Sequence, residues 1–306
     1  MPVPILSISE SDLQYALNCM DISELLAFSL CSKRTKNLVK SLNRKTDHPF
    51  VFVYENCIRF NLTGLFNNVQ EFISLAIFDS YIEFRENRTG VWKRQEFTQS
   101  DWIAHILDIF NESIIQLLRI ENVSPPFLDT LKKVIPKCRM LVISETCSTK
   151  LTKIAFWKLF SIAEQVDIHK NIFDDANDIS KYLTLNLKSV GFNDWQKPFK
   201  LKLNDLLALN IALLSIAPTS ITEKELNRFI KLWMKGSHTF YRQKFIRLTL
   251  DDEFELNRQE VLKGIKYEVD EDDDEEEDGF QCRMRRGDGK ELIVWVGGIV
   301  IGFYFS

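Results

Sequence analysis

Apolar positions in the first part of the chain recur at helical spacing. Ser9 followed by Asp12 places an acceptor hydroxyl and a first-turn carboxylate where a helix start needs both. Leu13, Ala16, Leu17 and Met20 then share one face. Asp21 with Glu24 repeats the cap ahead of Ile22, Leu25, Leu26, Phe28 and Leu30. A third helix is predicted from Ser32, with Lys33, Arg34, Lys36 and Lys40 around Leu38, Val39 and Leu42, so that its outward side is basic. Three short helices bury too little surface to stand alone and need a packed neighbour or a partner. A helical cap on the following domain would satisfy that need.

From Pro49 the period changes to two. Val51 and Val53, then Ile58, Phe60 and Leu62, alternate with Arg59 and Asn61, and residues 81–85 and 91–97 flank a turn containing Asn87 and Gly90. These predict antiparallel strands. Ser100 is placed to cap a helix whose stripe is Trp102, Ile103, Ile106, Leu107 and Phe110, with His105 beside it as a structural histidine. Paired apolar words follow, Leu118/Ile120, Leu141/Ile143, Val166/Ile168 and Val190/Phe192, starting 23, 25 and 24 residues apart. Helix-like pieces lie between them, over 127–134 behind Pro125-Pro126 and over 151–162 with Phe156, Leu159 and Phe160 inward. A strand and a helix recurring in this way predict an irregular leucine-rich-repeat-like α/β domain, in which each unit buries its apolar face against its neighbours. Leu207/Leu209 and Ile246/Leu248 come at intervals of 17 and 39, which breaks the period. The asparagine ladder of the strict repeat is absent, and an ordinary layered α/β domain is the alternative.

Toward the C-terminus, residues 225–237 predict an amphipathic helix with Leu226, Phe229, Ile230 and Trp233 inward and Gly236 ending it. Residues 280–286, 290–296 and 299–305 read as a three-stranded meander turned at Asp288-Gly289 and Gly297-Gly298. The apolar run 292–305 would make a helix of only about 21 Å, short of a bilayer core of about 30 Å. The predicted fold class is therefore mixed α/β, with N-terminal helices and antiparallel strands at both ends of a repeat-like body.

Charge changes the picture at one place. The 39 basic and 43 acidic residues give −4, but nine of the acids form an unbroken run over 270–278, and without it the balance is +5. Glycine (11) and proline (8) are sparse, which excludes collagen-like and linker-rich chains. The six cysteines have neither metal-ligand nor redox spacing and read as buried, reduced thiols. The first residues lack the positive flank and apolar core of a secretory signal. Cytoplasmic or nuclear residence is expected, and the glycosylation triplets at Asn61, Asn87, Asn111 and Asn122 are chance matches. No phosphate loop, nucleophile elbow, zinc-protease helix or dinucleotide fingerprint is present, and the histidines are scattered at 48, 105, 169 and 238. No catalytic, cofactor-binding or metal residue is assigned, and the chain is not expected to be an enzyme.

The words themselves carry a resemblance. Pro4-Ile5-Leu6-Ser7-Ile8-Ser9 and the run 20–34 resemble an F-box, in the form found in the large nematode F-box family. Members usually carry Leu-Pro where this chain has Ile8-Ser9, and the match is good at Met20-Asp21, Leu25-Leu26 and 29–34. Residues 202–210, 225–237 and 261–267 resemble the F-box-associated domain type 2 of the same family. The resemblance implies an F-box-like module over 1–45 and an associated α/β domain over 46–306; the acidic run 270–278 itself reads as a solvated, disordered loop between strands. The resemblance further implies a non-catalytic substrate receptor of a cullin-RING ubiquitin ligase. Its partners would be a Skp-type adaptor, a cullin through that adaptor, and a target protein that nothing in the sequence identifies, with no nucleic acid and no membrane. By resemblance Ile8, Leu13, Leu17, Met20, Leu25, Leu26, Leu30 and Lys33 are the adaptor-binding candidates, shared between helical core and adaptor face; substrate-binding residues are unknown. A stand-alone scaffold that binds basic proteins through the acidic run is the alternative.

Overall fold

A computed structural model shows side-chain caps at the start of each N-terminal helix. Ser9 Oγ accepts the Asp12 N–H at 3.2 Å ahead of α1 (Glu10–Cys19). Asp21 and Glu24 form a reciprocal box ahead of α2 (Ile22–Ser29), and Ser32 and Thr35 do so ahead of α3 (Lys33–Ser41). Each box satisfies N–H groups that a helix start leaves unpaired. The structure describes residues 9–44, 46–66, 69–84, 90–173, 179–236, 242–251, 256–269 and 279–306. Ile8, Asn87 and the acidic run 270–278 lie outside them.

Two compact units divide the chain, Met1–Leu141 with Ile154–Ala163, and Val142–Lys153 with Glu164–Ser306. The first holds the three helices and an antiparallel meander of β1 (Thr46–Val53), β2 (Ile58–Phe66), β3 (Val69–Phe78), β4 (Tyr81–Phe84) and β5 (Val91–Lys93). After α4 (Gln99–Ile109), β6 (Ile115–Ile120) returns parallel to β1, with Val51 beside Leu118 and Val53 beside Ile120, and α5 (Pro125–Val134) follows. The period-two residues Val51, Val53, Ile58, Phe60 and Leu62 are all buried, as the alternation requires. Two boundaries differ from expectation. The cap of α4 is Thr98, paired with Asp101, rather than Ser100, because only Thr98 has a carboxylate three residues on. Strand β5 is short because residues 94–97 close a turn through the Phe97 N–H and Arg94 carbonyl, 3.0 Å apart.

The division between units falls across β7 (Cys138–Ile143) and α6 (Thr149–Leu159), which ends in a 3-10 turn, Phe160–Ile162. In the second unit β8 (Ala163–Ile168), β9 (Ser189–Asn193), β10 (Leu213–Thr219) and β11 (Phe245–Leu250) lie side by side and parallel, in chain order. Their connections carry α7 (Ser180–Leu183), α8 (Leu203–Leu207) and α9 (Glu223–Met234). After α10 (Arg258–Val261) the chain makes β12 (Glu268–Val269), β13 (Phe280–Arg285), β14 (Glu291–Gly297) and β15 (Val300–Phe305), and β15 closes antiparallel on β11. The turns sit at Gly289 (φ +87) and Gly298 (φ +54), left-handed positions that suit glycine.

One strand-like word was placed wrongly by its composition. Leu207 ends α8, and Leu209 belongs to the connection that follows. The run lacks β-branched residues, and Asp205 caps the short helix. The strand pair is instead Leu214/Ile216, in register with Val190/Phe192 and Ile246/Leu248. The step from Val190 to Leu214 is then 24 residues, so the spacing continues one unit further than the words suggest. The thiols also differ, since Cys19 and Cys31 are exposed while Cys138, Cys147 and Cys282 are buried.

Helix α9 covers the inner face of the C-terminal strands. Leu226, Phe229, Ile230 and Trp233 are buried on it, and the Phe229 ring meets Phe303 at 5.3 Å between centroids. Asn227 Nδ2 donates to the carbonyls of Val261 at 2.8 Å and Lys263 at 3.0 Å, tying α9 to the end of α10. Phe229→Ala should therefore cost about 3–5 kcal/mol, the range for emptying a buried aromatic site, seen as a lower urea midpoint by circular dichroism. An unchanged midpoint would show that this contact does not hold the unit together.

Candidate protein-interaction surfaces

Burial separates the candidate residues of the N-terminal helices into two groups. Leu13 and Leu17 are nearly inaccessible and Leu25 and Leu26 wholly so, at 0%. Met20 and Leu30 are half-buried, and Lys33 is exposed. The reason lies in the packing of α2 against α3, α4 and β3. Ile22, Leu25 and Leu26 fill that contact, and burial of a leucine side chain contributes about 1.5–3 kcal/mol. Tyr15, which the reading of the helices passed over, is 74% exposed on α1. Its signal was present, because it falls out of phase with the Leu13 and Leu17 stripe.

Polar contacts hold these helices on the rest of their unit. The carbonyls at a helix C-terminus are unpaired and carry partial negative charge, so cations are favoured there. Arg44 donates to the carbonyls of Leu17 at 3.2 Å and Asn18 at 2.5 Å, and Arg94 donates to the Leu30 carbonyl while lying over the Phe97 ring. The basic side of α3 is divided: Lys36 Nζ and Lys40 Nζ reach the Asp108 carboxylate of α4 at 2.7 and 2.5 Å, leaving Lys33 and Arg34 outward. Hydrogen bonds from Lys36 and Lys40 hold the Asp108 carboxyl below its ordinary value against the effect of burial.

Ser29 Oγ lies 2.7 Å from His105 Nε2 in a buried contact between α2 and α4. Burial first, then the charges of Lys36 and Arg94, lowers the His105 imidazole to about 4, with Asp108 opposing. The neutral ring is thus the folded form. Between the ordinary value of 6.5 and about 4 the unfolded chain takes up a proton that the folded chain refuses. Stability is full above that window and falls as pH falls through it. Urea midpoints should decline from pH 7 to pH 4.5 in the parent chain and decline less in His105→Gln; parallel profiles would remove His105 from this role.

In the second unit, the loops at the C-terminal ends of the parallel strands are tied to one another. The Asn171 N–H donates to Asp194 at 2.6 Å, its side-chain amide donates to the carbonyls of Lys197 and Pro198, and its Oδ1 accepts the Phe173 N–H at 3.0 Å. Lys170 Nζ donates to the Cys147 carbonyl at 2.6 Å. Beside these loops is a cleft of about 410 Å³ lined by Glu145, His169, Asn193, Asp194 and Trp195. Trp195 is 56% exposed and His169 Nδ1 is 3.5 Å from Glu145. Nearby, burial raises the Asp167 carboxyl, with His169 opposing. Asp167 fits there because Gly191 faces it, where a Cβ would fall 2.0 Å from its carboxylate oxygen. Nothing in the spacing of these residues pointed to a cleft, because only the parallel register of β8 and β9 aligns their ends.

Among the described residues no group of three or more His, Cys, Asp or Glu could hold a metal ion, and no helix is long and apolar enough to cross a membrane.

Residues 5–47 match the family described as F-box domain, and residues 178–257 match the family described as F-box associated. A curated relative, the F-box associated domain-containing protein sdz-33 of Caenorhabditis elegans, is 26% identical over 257 residues, covering 82% of this chain and 80% of its own length. No solved structure matches the chain. The F-box match falls on the three capped helices of the first unit, and the associated match falls on α7 to β11 of the second. The chain is thus similar to F-box proteins over its N-terminal helices and to F-box-associated proteins over the middle of its second unit.

Proposed function

We propose that the chain is a non-catalytic substrate receptor: the helices α1–α3 engage a Skp-type adaptor and through it a cullin, and the associated segment engages an unidentified target protein. The observation that carries this reading is the F-box match on three helices whose apolar stripe is already buried within the unit. What they offer a partner is then the outward set of Met20, Leu30 and Lys33, joined by Tyr15. On this reading Leu13, Leu17, Leu25 and Leu26 act by holding that surface in shape. Ile8 belongs to the same set by resemblance.

The functional boundary falls near residue 45, between the adaptor module and the domain over 46–306. An irregular leucine-rich-repeat-like construction of that domain is part of the proposal, supported by β8 to β11 following one another in parallel with helices between them. Such a receptor works by proximity. It raises the effective concentration of target lysines at the charged conjugating enzyme and needs no acid, base or metal of its own. Residence in the cytoplasm or nucleus follows from those partners.

Affinity purification at moderate salt with mass spectrometry tests the reading, with a Skp-type adaptor and a cullin as the expected co-purifying proteins. Leu30→Asp combined with Lys33→Glu should reduce adaptor recovery about tenfold or more, equivalent to about 1.4 kcal/mol, in a chain that keeps its circular dichroism. Equal recovery from that folded variant would sink the assignment of the face. Leu25→Lys is not the variant to use, because it places an ammonium at a wholly buried site and unfolds the helices. Deleting 270–278 should leave adaptor recovery unchanged, whereas a scaffold acting through the acidic run would lose its main partner.

A further inference from the structure

One face of the C-terminal sheet carries an exposed cation, Arg247, with no counter-charge paired to it among the described residues. Ile246, Leu248 and Leu250 of β11 are buried, so Phe245 and Arg247 fall on the opposite side of the strand. Register sets Arg247 between Ser215 of β10 and Gly302 of β15, with Gly302 facing Trp295 of β14. One step along, Phe245 lies beside Tyr304, and Tyr304 beside Ile293. The Phe245 and Tyr304 rings are 4.6 Å apart between centroids, and Tyr304 is 46% exposed.

Gly302 sits on the floor of this patch. A Cβ there would meet the Tyr304 ring at 3.4 Å, the Phe245 ring at 3.6 Å and the Trp295 Cβ at 3.9 Å, so the Tyr304 and Phe245 rings close over a position that has no side chain of its own, while the Trp295 indole lies over Gly279. Arg247 and Ser215 are exposed. Among the described residues the Arg247 side chain has neither an ion pair nor a hydrogen bond, and neither flanking strand, β10 or β15, contains a carboxylate. The acid on the same row is Asp167 of β8, three strands away, about 14 Å at ordinary strand spacing. Glu291 at the start of β14 is bound by Arg285.

We propose that this face docks an acidic, extended segment of the target protein, a carboxylate pairing with Arg247 and an apolar neighbour resting on Phe245 and Tyr304. An arginine presents a planar fork that matches a carboxylate with two hydrogen bonds. Arginine and tyrosine are also among the residues on which interface binding energy concentrates. An extended segment fits because its side chains alternate, placing every second one on the sheet. The inference rests on the receptor reading for the identity of the partner, and on the sheet alone for its chemistry.

The test uses the full chain and two fluorescein-labelled ten-residue peptides, alternating Glu-Phe and alternating Lys-Phe, read by fluorescence anisotropy. The acidic peptide should bind at least about tenfold tighter than the basic one, a difference of about 1.4 kcal/mol. Arg247→Glu and Tyr304→Ala should each weaken it several-fold, and Arg247→Lys should retain part of the affinity. The series is repeated with 270–278 replaced by a Gly-Ser run of equal length, so that binding is also read without the chain's own acids. Equal binding of the two peptides, or unchanged affinity in Arg247→Glu, overturns the inference. So does a dimer of the chain, seen by sedimentation and abolished by Arg247→Glu, which would make a second copy the occupant. Adaptor recovery is measured on the same variants: its absence from the parent chain fails the receptor reading alone, and its persistence beside an insensitive peptide signal fails the docking face alone.

Discussion

The N-terminal helices cannot bury their apolar stripes in one another alone, and the arrangement of the first unit follows from that constraint. Ile22, Leu25 and Leu26 of α2 are wholly inaccessible because α2 rests on α3, α4 and β3. Once α2 is seated, the polar groups around it must be satisfied where they stand. Ser29 meets His105, Lys36 and Lys40 meet Asp108, and Arg94 meets the carbonyl of Leu30, which caps the end of the helix. These contacts do more than add stability. They consume two of the four cations of α3 and leave the other two outward, which defines the surface a partner would see.

The second unit solves a related problem by repetition. Parallel strands laid down in chain order bury Val166, Val190, Leu214 and Ile246 against one another across the ladder, and each connection returns the chain to start the next strand. Helix α9 covers the inner face through Phe229 and Trp233, while the other face keeps Ser215, Arg247 and Tyr304 accessible. A sheet with one covered and one open side sorts its residues by parity alone. The aromatic patch around Gly302 is a consequence of that sorting combined with the antiparallel closure of β15 on β11.

Local signals were legible to the extent that their physics is local. The caps at Ser9, Asp21 and Ser32, the buried stripe of α9 and the turns at Gly289 and Gly298 depend on residues within a few positions, and all stand where the pattern put them. The word Leu207/Leu209 failed for the complementary reason: a short apolar run satisfies a helix and a strand equally, and only pairing with β9 and β11 selects Leu214/Ile216.

By itself, the sequence determined a mixed α/β chain with three capped helices ahead of alternating strands and helices, and words shared with F-box and F-box-associated proteins. It also determined that the net acidity comes from one run rather than from the body. Only the tertiary structure decided that Leu25 is core while Leu30 and Lys33 reach the surface, that His105 is held neutral, and that Arg247 stands beside Gly302 without a counter-charge among the described residues. Periodicity states which residues share a face, but burial and charge depend on which element comes to lie against that face, and that is set by contacts between residues far apart in the chain.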